Sequence, residues 1–355
     1  MTGMKDKKVI DWIDSAKGLG VILVILGHFL GDSQFVFFNH FIYSFHVAFF
    51  FMLSGFIQSG KKNGALLKKT KRILLPFLAF TLLSAPLFGF LSLKKGMSPL
   101  QILMNLFYVK GELFNAPIWF LAVLAEIRLL CGMLKLSERS APVQLVSWGV
   151  SLAAGWLAYR YTTEESLLNL FGFNRMLVSL SFYLFGMCLQ RGWNVFDSLK
   201  NGTFRPTNEK LLSDPRFLVG YQMGTFVAAA ALNIVFGVMI NTNVSISAMH
   251  LGSYLPFQVA AVCGSIAAMM ICRRFCDRKG YLAKLSRYSI LFLGTQYFVL
   301  AVFKILMAKF SLTGTFVYDA IMIPTIVLYI IFTLKAYEWI KKRFKSISIL
   351  NGELI

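Results

Sequence analysis

Residues 11–76 read DWIDSAKGLGVILVILGHFLGDSQFVFFNHFIYSFHVAFFFMLSGFIQSGKKNGALLKKTKRILLP, and this stretch decides the fold. It contains two apolar runs, 17–34 and 36–59, each long enough to cross a bilayer as a helix rising ~1.5 Å per residue. A short polar turn separates them and a basic loop follows. Both runs carry histidine where lipid would be the ordinary neighbour, His28 in the first and His46 in the second. An ionisable side chain inside a span is costly and normally faces a cavity or a partner, so the pair marks a functional region.

Spacing sharpens this reading. Lys17 and His28 are close to three full turns apart, which puts them on one helix face, ~16 Å from each other along the axis. Asp14 shares that stripe. Asp32, one turn beyond His28, is expected to hold the imidazole in one tautomer. In the second run Asn39, Tyr43 and His46 recur at helical spacing. Two polar stripes on neighbouring helices would enclose a wet slot. Gly27 and Gly31 form a small-xxx-small step, read as close helix packing.

The rest of the chain has the composition of a membrane protein. Of 355 residues 57% are hydrophobic and only 15% charged, with a mean hydropathy of +0.65, which excludes a soluble globular enzyme and a disordered chain. The net charge of +20 does not form one amphipathic face. Lys and Arg sit in short loops between apolar runs, which reads as membrane topology and not as nucleic-acid binding. The five cysteines, odd in number, imply no disulfide framework, and Cys272 and Cys276 lack two further ligands for zinc. Lys5, Lys7 and Lys8 before the first run imitate a signal peptide, but no small-residue cleavage pattern follows, so an uncleaved first span is expected.

Ten spans are expected, near 17–34, 36–59, 73–93, 117–136, 142–159, 174–191, 217–240, 251–272, 288–308 and 314–338. The fold class is therefore all-α and polytopic. The apolar stretch Leu100 to Tyr108 is too short to span and is expected to be interfacial or re-entrant. Loops 60–72, 191–216 and 273–287 and the tail after 338 are rich in Lys and Arg, whereas NTNVSISAMH at 241–250 has none. This alternation puts both termini on the cytoplasmic side. No second domain is expected: 1–345 would form the membrane domain and 346–355 a cytoplasmic tail.

Several stretches resemble the membrane-bound acyltransferase 3 family. DWIDSAKGLGVILVILGH resembles its first span, with an acidic residue, a basic residue and a histidine eleven positions later. FHVAFFFMLSGF is similar to its second-span motif, LLKKTKRILLPF to its basic loop, and IWFLAVLAEIRLL to its Trp-Phe-Leu span. The specific motifs cluster in the first 130 residues. The resemblance implies an integral membrane enzyme, in the stand-alone form without a fused extracytoplasmic domain, that uses acyl-coenzyme A as co-substrate.

Moving an acyl group from a thioester to an alcohol needs a base at the hydroxyl, a seat for the donor's phosphates and a donor for the oxyanion. Histidine suits the base because it titrates near neutrality. His28 is expected in that role, with His46 and Glu126 as further catalytic candidates. An interfacial histidine, a cross-helix hydrogen bond and a local ion pair are their respective structural alternatives. Glu126, two turns from Trp119, is expected to find a partner in His28, Lys17 or Arg128. Lys17 stands where the family more often has arginine, and Lys69 and Arg72 occupy the spacing of two family arginines, with Lys68 adjacent. The resemblance assigns these four to the donor, although loop cations are also expected from topology alone. Asp14, Asp32, Tyr43, Trp119 and Gln296 are expected to contact substrate. Gln296 stands seven residues after Ser289, where the family often has a second histidine, so a proton relay there is in doubt. Lys304 and Asp319 are expected to pair with each other. His40 and His250 are expected to be solvated.

The sequence thus points to a membrane O-acyltransferase in the cell membrane, moving an acyl group, acetyl above all, from cytoplasmic acyl-coenzyme A to a hydroxyl of a cell-surface glycan or its lipid-linked precursor. No bound cofactor, metal or nucleic acid is expected. The alternatives are a transporter or flippase of lipid-linked sugars, for which Pro76, Pro86 and Pro324 would break helices, and a structural subunit of a polysaccharide-export complex. The acceptor and the oligomeric state are not legible.

Overall fold

The computed structural model describes residues 11–61, 66–109, 113–163, 166–200, 215–276 and 280–352. Lys5, Lys7 and Lys8 before the first span, Lys62, Arg205, Lys210, Arg278 and Lys279 of the basic loops, and residues 353–355 of the expected tail lie outside them. Among the described residues there is no strand, and ten helical spans are long and apolar enough to cross a membrane. These are Trp12–Asp32, Val36–Gln58, Lys68–Lys94, Ala116–Met133, Ala141–Tyr161, Leu167–Trp193, Gln222–Ile240, Tyr254–Phe275, Ser289–Lys309 and Phe316–Arg343. Each coincides with an expected span to within a few residues. The protein is an all-α, multi-pass membrane bundle.

The helices that position the site are α1 (Asp11–Phe29), α2 (Val36–Tyr43), α3 (His46–Gln58), α4 (Leu66–Ser84), α5 (Phe90–Lys94), α6 (Pro99–Leu106), α7 (Trp119–Met133), α8 (Ala141–Tyr161), α9 (Phe173–Lys200), α10 (Pro215–Ile234), α11 (Tyr254–Phe275), α12 (Tyr281–Ser286), α13 (Ser289–Lys309) and α14 (Phe316–Arg343). The stretch 100–108 is α6 and its end, a short helix started by a capping box between Ser98 and Gln101. Of the three prolines, Pro76 and Pro324 lie inside continuous helices, and only Pro86 coincides with a change of winding, a π turn over Ala85–Gly89 that leads into α5.

The second span departs from the continuous helix its apolar run suggests. It breaks between α2 and α3, with Phe45 at φ −145° and ψ −19°. Ser44 turns its hydroxyl back onto the Phe41 carbonyl at 2.7 Å and receives the Asn233 amide at 2.8 Å. A serine bonded to its own backbone competes with the helical ladder. Broken backbone at membrane depth is tolerated where it lines a cavity, and that is its setting here.

The core is built around α1, α3, α7, α9 and α11. In a close crossing of α3 on α9 two glycines face each other's helix: a Cβ on Gly55 would meet the Tyr183 carbonyl oxygen at 1.8 Å, and one on Gly186 the Met52 carbonyl oxygen at 2.1 Å. Gly27 touches Ile42 and Tyr43, while Gly31 meets only the Lys304 ammonium, so the expected step between them is not a helix crossing.

A second apolar cluster joins α1 to α13 and α14, the last two spans. Polar contacts fasten the same elements where α1 ends. Lys304 Nζ lies 2.8 Å from Asp32 Oδ2, the Tyr318 hydroxyl donates to the Phe29 carbonyl at 2.6 Å, and the Gly314 amide donates to the Asp32 carbonyl at 2.9 Å. Asp319 accepts from the Ser33 hydroxyl and, at 3.4 Å, from the Gln34 amide. Two expectations fall here. Lys304 pairs with Asp32 and not with Asp319. Asp32 does not hold His28, because α1 ends at Phe29 and Asp32 sits in a 3-10 turn, off the i+4 position.

Candidate active site

A cavity of about 340 Å³ runs between α1, α3, α7 and α13. Lys17, His28, Tyr43, His46, Arg72, Trp119 and Gln296 all line it. At the end where the basic loops gather it is bounded by Lys17, Arg72 and Gly352, and toward the other end by Val244 to Ser247. Much of the remaining wall is aromatic and aliphatic, with Phe50, Phe120 and Phe292 among its residues. An apolar cleft of this size with a few convergent polar groups is the usual form of a small-ligand site.

His28 closes the last turn of α1, half-buried, with Nδ1 3.4 Å from the Tyr43 hydroxyl oxygen and the two rings edge to face. The Tyr43 ring is in turn 4.9 Å from that of His46. His46 is buried, and its Nδ1 lies 2.8 Å from the Ile42 carbonyl oxygen, which also accepts from the Phe45 amide at 3.2 Å. A carbonyl only accepts, so Nδ1 carries the proton and the neutral ring presents a lone pair at Nε2. The hydroxyl facing His28 can donate or accept, so either tautomer fits there. Asn39 donates to the Gly27 carbonyl at 3.2 Å and ties α2 to the end of α1.

At the basic end Lys17 Nζ lies 3.1 Å from Asp14 Oδ1, so its charge is partly answered; Asp14 itself does not line the cavity. Arg72 does, exposed at the mouth beside Gly352, whose Cβ would meet the Arg72 carbonyl oxygen at 2.6 Å. Residues Lys345–Asn351 form a 3-10 segment anchored by an Asn351 side-chain bond to the Arg287 carbonyl at 2.7 Å. The part of the expected tail that is described therefore packs against the bundle, with Gly352 at the edge of the cavity. Lys68 is exposed and away from the cavity, and Lys69 lines a smaller chamber next to it.

Glu126 joins neither His28 nor Lys17 nor Arg128. Its Oε2 is buried without a hydrogen-bond partner, on the side of Tyr108, whose phenol burial pushes above the usual tyrosine range. Two residues along a helix are ~200° apart, so Arg128 cannot reach back to it; the guanidinium lies instead against the Tyr183 hydroxyl. Gln296 is 1% exposed on the cavity wall, with Oε1 unpartnered and Nε2 only 3.5 Å from the Leu293 carbonyl. His40 meets Asn243 Oδ1 at 2.8 Å, a side-chain bond its expected solvation did not include.

A family model described as an acyltransferase domain, that of acyltransferase 3, matches residues 10–335. The chain belongs to the acyltransferase 3 family. No curated protein and no solved structure matches it significantly. Membership and the ten-span bundle together make this a membrane acyltransferase.

In this acyltransferase 3 chain the cavity also recruits residues that motif reading passed over. Ser245 and Ser247 reach it from the loop before α11, and Ser286 from the end of α12. Nothing in their spacing signals this, because loop contacts depend on packing. Arg128 lines it as well, and here a signal was present: arginine in the middle of IWFLAVLAEIRLL is as costly as histidine in a span.

Proposed function

We propose that this acyltransferase takes an acyl group, acetyl in the first instance, from acyl-coenzyme A at its basic face and delivers it to a hydroxyl of a cell-surface glycan or its lipid-linked precursor. The observation that carries the reading is that His28 shares one cavity with Lys17 and Arg72. Phosphates of the donor sit at the basic mouth, taken as cytoplasmic, in the cell membrane, and the pantetheine arm extends along the apolar walls toward His28.

In the tautomer that makes His28 a base, Nδ1–H donates to the Tyr43 oxygen and Nε2 carries the lone pair. Nε2 takes the proton of the acceptor hydroxyl as its oxygen attacks the thioester carbonyl. The carbon–sulfur bond then breaks, and the departing thiolate takes that proton from His28, giving the free thiol and restoring the neutral ring. His46 presents an acceptor nitrogen, which suits it to orient the incoming hydroxyl and not to donate to the oxyanion. Gln296 and Tyr43 carry the donors for that charge. Trp119 and the aromatic walls exclude water from the thioester.

The test is purified protein incubated with labelled acetyl-coenzyme A and a panel of glycan acceptors. Transfer by the wild type and its loss in His28→Ala, with an unchanged helical spectrum and melting temperature, is the expected result. Movement of a lipid-linked sugar across vesicles with no free coenzyme A released would replace this reading with transport.

A further inference from the structure

Arg128 occupies a position that the pairing of charges within the bundle does not explain. It sits about one and a half turns before the end of α7, among residues that face protein. No carboxylate among the described residues pairs with it, and its contact is the Tyr183 hydroxyl. Tyr183 belongs to the glycine crossing of α3 on α9, where its carbonyl lies against Gly55, so the hydroxyl is delivered from a closely packed part of the fold. A cation kept in a span without an anion is expensive, and a phenol beside it does little to relieve that cost.

The guanidinium lines two spaces at once. One is the main cavity, where it joins Lys17 and Arg72 at the basic end; the other is the small chamber it shares with Lys69 and Tyr183. Since Asp14 answers part of the charge of Lys17, the positive charge left open at this throat belongs to Arg72 at the rim and Arg128 deeper in. A planar fork with several N–H donors matches phosphate oxygens two at a time, which an ammonium cannot do.

We infer that Arg128, with Arg72, grips the phosphate groups of the thioester donor at the inner throat of the cavity. This rests on the proposed function, since it takes the donor to be a phosphate-bearing thioester. It assigns to an arginine within the α7 span a share of the binding that motif reading gave to the loop lysines, of which Lys68 is away from the cavity.

The experiment compares two donors, acetyl-coenzyme A and S-acetyl-pantetheine, which has the same arm and thioester but no phosphate. In Arg128→Gln the KM for acetyl-coenzyme A is expected to rise about tenfold or more, the loss of a charge-assisted bidentate contact, with kcat little changed. The kcat/KM for S-acetyl-pantetheine is expected to stay at the wild-type value. Arg128→Lys, which keeps the charge and protects against a folding failure, is expected to show the same selective loss at smaller size, and Tyr183→Phe to follow it. Equal loss on both donors, or none on either, overturns this inference and leaves the proposed function standing. Failure of the wild type to use either donor overturns both.

Discussion

Tyr43 places its hydroxyl oxygen 3.4 Å from Nδ1 of His28, and its ring 4.9 Å from that of His46, so one phenol stands between the two imidazoles of the cavity. The distance to His28 is long for a hydrogen bond, which limits what it contributes. Tyr43→Phe keeps the ring and removes the polar contact. Turnover is expected to fall about fivefold, the equivalent of ~1 kcal/mol, with donor KM and melting temperature unchanged. Wild-type turnover in this variant would mean that something other than Tyr43 orients His28.

The α3–α9 crossing admits no side chain at its centre. Gly55→Ala and Gly186→Ala each drive a methyl onto a backbone carbonyl, at 1.8 and 2.1 Å, and neither carbonyl can move without its helix. Each is expected to destabilise by ~3 kcal/mol or more, or to prevent folding. Gly149→Ala in α8, where a Cβ meets nothing within 4 Å, serves as control and is expected to be neutral or mildly stabilising. Melting in detergent compares the three; equal behaviour would contradict the crossing.

The Lys304 and Asp32 side chains are 37% and 36% exposed, so their pair is held in a partly open setting. A double-mutant cycle with Lys304→Met and Asp32→Asn is expected to give a coupling of about 0.5–1 kcal/mol in unfolding, and no more. Zero coupling would show that the backbone bonds at the same turn do the fastening.

Gln296 carries a buried acceptor with nothing to accept from, an arrangement that costs stability by ~1–3 kcal/mol. Gln296→Met preserves volume and removes the cost. The melting temperature is expected to hold or rise while turnover falls, a stability gain at the expense of activity. A drop in melting temperature would mean that the amide is satisfied within the fold and serves no substrate.

Span existence was legible because an apolar run of some twenty residues has few other uses, and the spans stand within a few residues of their expected limits. What the residues did not reveal follows from two local effects. Helical spacing was extended past Phe29, where the chain turns 3-10, and this misassigned Asp32. It was also extended across Ser44, whose own backbone bond breaks the helix; Tyr43 and His46 still reach the cavity, with different geometry. The partners of Lys304, Asp319, Glu126 and Arg128 were unreadable for another reason. Each depends on which helices become neighbours, and a sequence of ten similar apolar runs does not specify that order. Lys17, His28 and Arg72 line one cavity because two lie on the same helix and the third stands at the end where Lys17 is.

The fastening of α13 and α14 onto the turn after α1 bears on how the enzyme matures. The wall that carries Gln296 and the contacts that fix the end of the His28 helix are contributed by α13 and α14, which are made well after α1. Until they insert, the end of α1 lacks these contacts and the cavity lacks that wall, so the site closes only late in synthesis.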